Sequence, residues 1–220
     1  MSGMERPRIC AVIVSRDLPT IEIESFIDLY EVRIDLIGDG WHGLVGQLNK
    51  PWIACNRLAD EGGRWGRSEA SRIEELLKAV ELGAEMIDIE LKTKTLGEVV
   101  KLIKKKAKCL LSSHELNGTP SLKEMKEIVH QQLEAGADVC KVVTTAHRFE
   151  DNLTVLQLIT EFPQIRIVSF AMGPLGYVSR ILCPLVGGYF TYASIEEGKE
   201  SASGQITVRD LKKIYEMVEL

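Results

Sequence analysis

The sequence predicts a single-domain α/β protein, a (β/α)8 TIM barrel that occupies residues 1–220. Short apolar, β-branched runs recur along the whole chain, and amphipathic segments separate most of them. The apolar runs are continuous rather than alternating, which is typical of parallel strands that are buried on both faces. Eight such strand–helix units within 220 residues correspond to a compact barrel.

An open, doubly wound sheet is the structural alternative to the barrel. Such a sheet usually carries a glycine-rich phosphate-binding turn after its first strand. Here that turn reads SRDLPT and contains no glycine, so the barrel is favoured. The predicted strands, in chain order, are 8–15, 30–36, 51–59, 85–91, 108–115, 138–146, 166–172 and 188–194.

The first well-defined helix is predicted over residues 68–82, between the third and fourth strands. Its apolar residues fall on one face, and Ser71 with Glu74 has the spacing of a capping box. Gly83 follows its last turn, where a helix C-terminus favours glycine.

A second helix, over residues 121–135, repeats this pattern with Ser121 and Glu124 at its start and Gly136 at its end. The stretch GDGWHGLVGQLN predicts only a short or irregular helix. Further helices are predicted over 96–106, 151–161, 174–186 and 207–219.

Composition and charge exclude several classes of function. The formal net charge of −5 argues against nucleic acid as a partner, because binding to phosphates favours a basic surface. Five cysteines form no CxxC pair and are odd in number, which indicates a reducing compartment. No signal peptide and no apolar stretch of about 18 residues is evident, so we expect a cytoplasmic protein without a membrane span.

Polar residues collect at the ends of the predicted strands, where a barrel of this kind carries its catalytic groups. They include pairs that share one face of a strand because side chains alternate along it. In strand order these residues are Glu31, Arg33 and Asp35, then Arg57 and Glu61, then Asp88 and Glu90, then Ser113 and His114, then Lys141, then Arg180, and finally Ser201 and Gln205. A buried ion network that fills a layer of the barrel is the alternative explanation for the charged members.

Lys141 stands alone within the apolar run ADVCKVVTTA. A buried lysine without a partner has a lowered pKa, because desolvation disfavours the charged amine. The neutral amine is the nucleophile that forms a Schiff base with a ketone or aldehyde. His114, one strand earlier, would then be near enough to carry protons. A structural lysine that pairs with Asp88 or Glu90 is the alternative.

Six motifs, in the order EVRID, NRLADEGG, SSHE, ADVCKV, MGPLGYVSR and SASGQI, resemble the type I 3-dehydroquinate dehydratase family. The likeness runs from the first strand to the last loop. Its most specific element is the pair His114 and Lys141, which lie 27 residues apart on consecutive strands.

This resemblance implies an enzyme without metal or organic cofactor, a hydro-lyase that converts 3-dehydroquinate to 3-dehydroshikimate in the biosynthesis of aromatic amino acids. Lys141 would form the Schiff base and His114 would be the general acid and base. The substrate-binding residues that it implies are Ser15, Glu31, Arg33, Arg57, Arg180, Ser201 and Gln205. Glu61 would lie near the substrate in a lid loop, and members of the family often form homodimers.

The chain departs from the family pattern at three points. Ser203 stands where many members have proline, Glu115 follows His114 where aspartate is frequent, and the chain is shorter than many bacterial members. The last point leaves the loop lengths and the closure of the lid open.

One carboxylate is expected to hold the imidazole of His114 in a single tautomer, as the third member of a catalytic triad does. Asp88 and Glu90 are the predicted candidates, because they share a face of the neighbouring strand. An amide at the correct position should then reduce activity without preventing imine formation.

Three rival functions keep the same barrel. A lysine-imine aldolase would share Lys141 but would commonly bind phosphate near its last two strands. A metal-dependent isomerase would use Glu31, Asp88, Glu90 and His114 as ligands, a set that a hard divalent ion accepts. A barrel that only binds its ligand would have no need of the pair His114 and Lys141.

Overall fold

The computed structural model describes residues 6–218 and contains all eight predicted strands, most of them shorter than predicted. The second strand ends at Arg33, so Asp35 lies in the short helix that follows and not on the strand. A ninth, two-residue strand lies after the eighth and was not predicted. The strands are β1 (Ile9–Ile13), β2 (Leu29–Arg33), β3 (Trp52–Cys55), β4 (Met86–Glu90), β5 (Lys108–His114), β6 (Val139–Thr145), β7 (Ile167–Met172), β8 (Thr191–Ser194) and β9 (Ile206–Thr207).

The predicted helices are also present, with one change in the seventh connection. There the predicted helix is divided into a short α-helix and the 3₁₀ turn Cys183–Val186, and a second 3₁₀ turn, Ala59–Glu61, follows β3. Residue 219, the predicted end of the last helix, lies outside the described residues. The helices are α1 (Ile21–Glu24), α2 (Ile34–Ile37), α3 (Trp41–Val45), α4 (Glu69–Glu81), α5 (Leu96–Ile103), α6 (Leu122–Glu134), α7 (Asp151–Glu161), α8 (Tyr177–Leu182) and α9 (Val208–Met217).

Capping at the two best-defined helices follows the sequence in one case and not in the other. The capping box of α6 is confirmed, since the Ser121 side chain accepts from the Glu124 backbone and Glu124 reaches back to Ser121. At α4 the prediction is wrong by one turn. The cap there is Ser68, whose side chain accepts from the backbone N–H of Ser71. Both residues are serines that precede the same apolar face, so local spacing did not separate them.

All strand pairs are parallel, and the order within the sheet is β7-β6-β5-β4-β3-β2-β1-β8-β9. The two ends of the curled sheet meet where the N–H of Tyr189, just before β8, donates to the carbonyl of Ile167 in β7 at 2.8 Å. The predicted fold class, a (β/α)8 barrel, is confirmed. None of the helices within residues 6–218 is long and apolar enough to cross a membrane.

The barrel interior is a packed core and not a pore. Strand residues at alternate positions point inward and form one apolar cluster, whereas the intervening residues pack against the helices. Phe190 is fully buried within the inner cluster. Charged side chains replace apolar ones on the same inward face only toward the carboxyl ends of the strands. The inner cluster consists of Cys10, Val12, Leu29, Ile53, Met86, Leu110, Val139, Val143, Val168, Phe170, Phe190 and Tyr192.

Candidate active site

A cavity of about 230 Å³ lies at the carboxyl ends of the barrel strands. Nine of the residues predicted from the sequence line it: Glu31, Arg33, Arg57, Glu61, His114, Lys141, Arg180, Ser201 and Gln205. Residues from β2, β5 and β6, from the loops after β3 and β8, and from α8 therefore meet although they are far apart in sequence. Such convergence is the expected consequence of parallel strands that all end at the same face.

Lys141 is buried within the barrel and surrounded by acidic groups. Its Nζ donates to Oδ2 of Asp88 at 2.8 Å and lies 3.5 Å from Oε1 of Glu31. Burial lowers the pKa of Lys141, but the charges of Asp88 and Glu31 oppose that effect and the net pKa is raised. The predicted lowering of this pKa is therefore wrong for the ligand-free chain. The prediction that Lys141 has apolar neighbours along β6 is confirmed. The acidic neighbours belong to β2 and β4, so the sequence of β6 could not indicate them.

Asp88 is the centre of the buried ion network and is not the hydrogen-bond partner of the His114 imidazole. Its Oδ2 also accepts from Arg57 Nη2 at 2.6 Å, and its Oδ1 accepts from the Ser112 hydroxyl at 2.6 Å. Burial raises the pKa of Asp88, but Arg57 and Lys141 outweigh burial and hold this pKa well below its usual range. Asp88 is therefore a permanent anion that orients both cations.

Glu90, two residues after Asp88 on β4, has a structural role. Its Oε2 accepts from the Arg72 guanidinium of α4 at 2.6 Å, and its Oε1 accepts from the backbone N–H of Leu58 at 3.0 Å. Arg57 Nη1 lies 3.2 Å from the same Oε1. These contacts join the loop after β3 to α4, and they leave no contact between Glu90 and His114. The alternative of a buried ion network is thus correct for Glu90.

Glu61 is the carboxylate that contacts the imidazole. Its Oε2 lies 2.8 Å from Nδ1 of His114, so the predicted role of Asp88 or Glu90 in this contact is corrected. The 3₁₀ turn Ala59–Glu61 brings Glu61 inward, and a Cβ on Gly63 would lie 2.1 Å from the Arg57 carbonyl oxygen. Only glycine permits this close return of the loop to the end of β3.

The electrostatic surroundings keep His114 neutral at rest, which is the form that can accept a proton. Burial lowers the pKa of His114 well below its ordinary value, and the charges of Arg57 and Lys141 lower it further. Burial raises the pKa of Glu61 to about 7, although Arg57 opposes this rise. When Glu61 is ionised it accepts from Nδ1–H, and Nε2 is then free to take a proton.

Arg180 supplies a buried cation at the side of the cavity that β7 and the last loop form. It is 1% exposed; one nitrogen donates to the Ser203 carbonyl at 3.3 Å, and its Nε has no partner in the described residues. Burial lowers the pKa of Arg180 to about 10. No carboxylate within residues 6–218 forms an ion pair with it, so this guanidinium is available for an anion in the cavity.

The last loop contributes Ser201 and Gln205 to the cavity. Oε1 of Gln205 accepts from the backbone N–H of Ser201 at 2.7 Å, which orders the loop. Ser15 is placed differently, because β1 ends at Ile13 and the cavity lining does not include it. Its hydroxyl donates to Asp17 at 2.9 Å and accepts from Lys199 at 3.2 Å.

Among the residues at the site that sequence reasoning missed are Ser112, Phe170 and Tyr192. Ser112 bridges Arg57 and Asp88, and the rings of Phe170 and Tyr192 line the cavity. Side-chain alternation was the available signal for Tyr192, because it places Phe190 and Tyr192 on the inward face and Ala193 on the outward face. Serine and aromatic residues are common in strands, so residue type alone did not mark them.

The metal-ligand set of the isomerase alternative does not assemble. Ligand atoms of Glu31, Cys55 and Asp88 lie within 4.8 Å of one another, but Glu90 and His114 do not join this group. Lys141 and the Arg57 guanidinium both contact Oδ2 of Asp88, and the Ser112 hydroxyl donates to Oδ1. A divalent cation at this position would meet both cations, so the donor set does not fit a metal.

Comparisons with known proteins find one family over nearly the whole chain. The family described as type I 3-dehydroquinase matches residues 9–220. A 3-dehydroquinate dehydratase of Dehalococcoides mccartyi is 44% identical over 216 residues, covering 98% of this chain and 97% of the relative. One from Methanococcus maripaludis is 38% identical over 202 residues, covering 90% and 91% of the two chains.

The solved structures show the same fold. The crystal structure of 3-dehydroquinate dehydratase from Geobacillus kaustophilus has a TM-score of 0.87 and 26% identity, and the match covers 98% of this chain and 92% of that one. The family match extends over nearly the whole chain, as the order of its motifs predicted. The chain therefore belongs to the type I 3-dehydroquinase family, which is a family of hydro-lyases.

Proposed function

We propose that the chain dehydrates 3-dehydroquinate to 3-dehydroshikimate through an imine on Lys141, with His114 as general acid and base. The observation that carries this proposal is the joint exposure of three groups to one cavity: a lysine, a neutral imidazole and a guanidinium that pairs with no carboxylate of residues 6–218. A hydroxylated cyclic ketone that bears a carboxylate has one functional group for each of them.

The first step is attack of the neutral Lys141 amine on the ketone carbon, with loss of water and formation of a protonated imine. Because Asp88 and Glu31 raise the pKa of Lys141, the resting side chain is an ammonium and must release a proton before it attacks. The imine then serves as the electron sink that a metal ion supplies in other enzymes. The cation is retained in the barrel by Asp88, at 2.8 Å from Nζ in the free chain.

Proton removal is assigned to Nε2 of His114. The base takes the proton from the carbon next to the imine, and the electron pair moves into the C–C bond to give a neutral enamine. The enamine then expels the hydroxyl from the following carbon, and the imidazolium returns its proton to the departing oxygen. Hydrolysis of the product imine consumes one water and regenerates Lys141, so the net reaction is loss of one water from the substrate.

Binding of the substrate is assigned to the polar lining of the cavity. Arg180 would hold the carboxylate through two parallel N–H bonds, for which a planar guanidinium is suited. Ser201 and Gln205 lie in the loop that supplies Ser203 to Arg180, and they would bind near the carboxylate. Glu31, Arg33 and Arg57 would bind the hydroxyls of the ring, and Ser15 would act only if its loop moves toward the cavity.

Borohydride trapping tests the proposal directly. The protein is incubated with 3-dehydroquinate and borohydride, and the reduced adduct is mapped by mass spectrometry. We expect one adduct on Lys141, none in K141M, and an unchanged adduct in K199R, a control at the lysine of the last loop. No adduct together with chelator-sensitive turnover would favour a metal-dependent isomerase. An adduct that forms only with a phosphosugar would favour an aldolase.

We also propose that the chain acts as a homodimer, as its family resemblance implies, and that it is located in the cytoplasm, as its unpaired cysteines favour. Light scattering after gel filtration measures the first point. A mass of one chain at concentrations used for the enzyme assay would contradict it.

A further inference from the structure

Tyr192 is a buried residue of the cavity for which the proposed reaction has no role. It is 3% exposed, lies in β8 and contributes to the cavity lining. Its hydroxyl has no hydrogen-bond partner in the described residues. Burial raises the pKa of Tyr192 well above its ordinary value, and Glu31 raises it further, so the phenol stays neutral. The aromatic face is then the part of this side chain that can act on charge.

That face lies against the Lys141 amine. The Nζ of Lys141 is 4.2 Å from the ring centroid of Tyr192. The same ring packs edge-to-face on Phe170, with centroids 6.0 Å apart, and Phe170 carries the Arg180 guanidinium at 4.3 Å from its own centroid. The four side chains therefore form a continuous row, with a cation at each end and two aromatic rings between them. A cation over an aromatic face is stabilised most when it is removed from water, and both cations of this row are buried.

The contribution of Tyr192 to stabilising the positive charge on Nζ of Lys141 changes during the reaction. A lysine ammonium has three N–H donors and can serve both Asp88 and Glu31. A protonated imine keeps the positive charge but has only one N–H, so it can no longer donate to both carboxylates. The attraction to an aromatic face depends on charge and not on N–H groups. The relative contribution of Tyr192 is therefore larger in the imine than in the resting lysine.

We propose that Tyr192 is a positioning residue whose aromatic face holds the charged imine nitrogen of Lys141, and that Phe170 holds Arg180 in the same way. Because the two rings touch, they set the distance between the ketone-binding and carboxylate-binding ends of the cavity. The inference rests on the proposed function and adds a determinant of substrate length to it. The aromatic ring of Tyr192 interacts with the positive charge, and its hydroxyl does not contribute to this interaction.

Fluorinated phenylalanines at position 192 separate the electrostatic role from a packing role. Y192F removes the hydroxyl and keeps the ring, so we expect kcat to change by less than about threefold, since no partnered hydrogen bond is lost. Mono-, di- and trifluorinated phenylalanine then weaken the aromatic quadrupole at nearly constant size. We expect kcat/KM and the borohydride-trapped fraction on Lys141 to fall stepwise, by about tenfold in total for the trifluorinated ring.

The same fluorinated residues at Phe190 are the matched control. Phe190 is fully buried and packs edge-to-face on Tyr192 at 5.2 Å, but its described aromatic contacts are with rings and not with a cation. We expect no stepwise loss from this position. Equal losses at both positions, or no loss across the series at position 192, would overturn the inference.

Two measurements keep this result separate from the proposed function. Trapping of the unsubstituted chain shows first whether Lys141 forms an imine at all. Y192L removes the ring; if it folds, we expect a loss of kcat/KM at least as large as that of the trifluorinated ring. A Y192L protein with the full kcat/KM and the full trapped fraction would overturn the role of the ring even though the imine forms.

Discussion

Replacement of Glu61 by glutamine is the most informative single change at this site. The carboxylate lies 2.8 Å from Nδ1 of His114, and the two side chains are 6% and 10% exposed. Glutamine keeps the size of Glu61 but offers a neutral amide. We expect E61Q to lower kcat while leaving the Lys141 adduct intact, because the imidazole loses the anion that fixes its tautomer and not its place next to the substrate.

The magnitude follows from the loss of one charge-assisted hydrogen bond. Such a bond contributes ~1.5–3 kcal/mol when it is buried, which corresponds to a decrease in kcat of about tenfold to a hundredfold. The pH profile gives a second signature. Glu61 has a pKa of about 7, so it gains a proton as the pH falls through that value and loses the negative charge that strengthens its hydrogen bond from Nδ1–H. We expect kcat/KM of the unsubstituted chain to decline on that acid side.

The assay is initial rate against pH, followed by the absorbance of the conjugated enone product. In E61Q the decline near pH 7 should disappear, because glutamine does not titrate and burial keeps the pKa of His114 low. D60N is the matched control, since Asp60 is exposed in the same 3₁₀ turn. We expect its rate and pH profile to match those of the unsubstituted chain.

Two results would refute this reasoning about Glu61. An unchanged kcat in E61Q would show that the contact at Nδ1 does not govern proton transfer. A decline in kcat/KM that stays near pH 7 in E61Q would assign the titration to another group.

Three further changes test other parts of the site and the fold. R180K should raise KM by about tenfold to a hundredfold with a smaller change in kcat, because lysine cannot hold a carboxylate with two parallel bonds; equal loss of kcat and kcat/KM in steady-state assays would contradict this. D88N should lower the free energy of unfolding by ~3–5 kcal/mol near pH 7, because two buried cations lose their shared anion. Since the pKa of Asp88 is depressed in the fold, its stabilisation is present above the unfolded value of about 4 and is lost as the pH falls below it. Urea unfolding from neutral to acid pH should therefore show the difference between the two proteins shrink in acid, and a constant difference would contradict the assignment. S121A should cost about 1 kcal/mol through loss of the α6 cap without affecting kcat, and the same urea experiment measures it; an unchanged midpoint would show that the capping box does not stabilise α6.

Local sequence patterns were sufficient to predict most strands and helices of the fold. Continuous apolar runs predicted the eight strands β1 to β8 but not the two-residue β9, and the capping box at Ser121 marked the start of α6 within one residue. The errors fall where two local signals compete. Ser68 and Ser71 both precede the apolar face of α4, and Asp35 continues the alternation of β2 although the chain has already turned into α2.

The site was predictable as a set of residues but not as a set of contacts. Placing Lys141 and His114 on consecutive strands follows from the order of strands along the chain. The partner of His114 does not, because Glu61 reaches it from a loop whose path depends on a 3₁₀ turn and on the close packing of Gly63. The neighbouring strand offered two carboxylates at suitable spacing, and both are occupied by arginines.

The sequence by itself determined the barrel, the family and the chemical inventory of the cavity, because strand periodicity and strand order depend on residues that are close in the chain. Only the tertiary structure decided which of the ionisable groups in the cavity carry a proton. The pKa of Lys141 depends on Asp88 and Glu31, which lie 53 and 110 residues away in sequence but 2.8 and 3.5 Å away in space. An apolar strand predicts a neutral amine, and the barrel instead closes two carboxylates around it. Electrostatic interaction acts through distance in space, and sequence separation does not measure that distance.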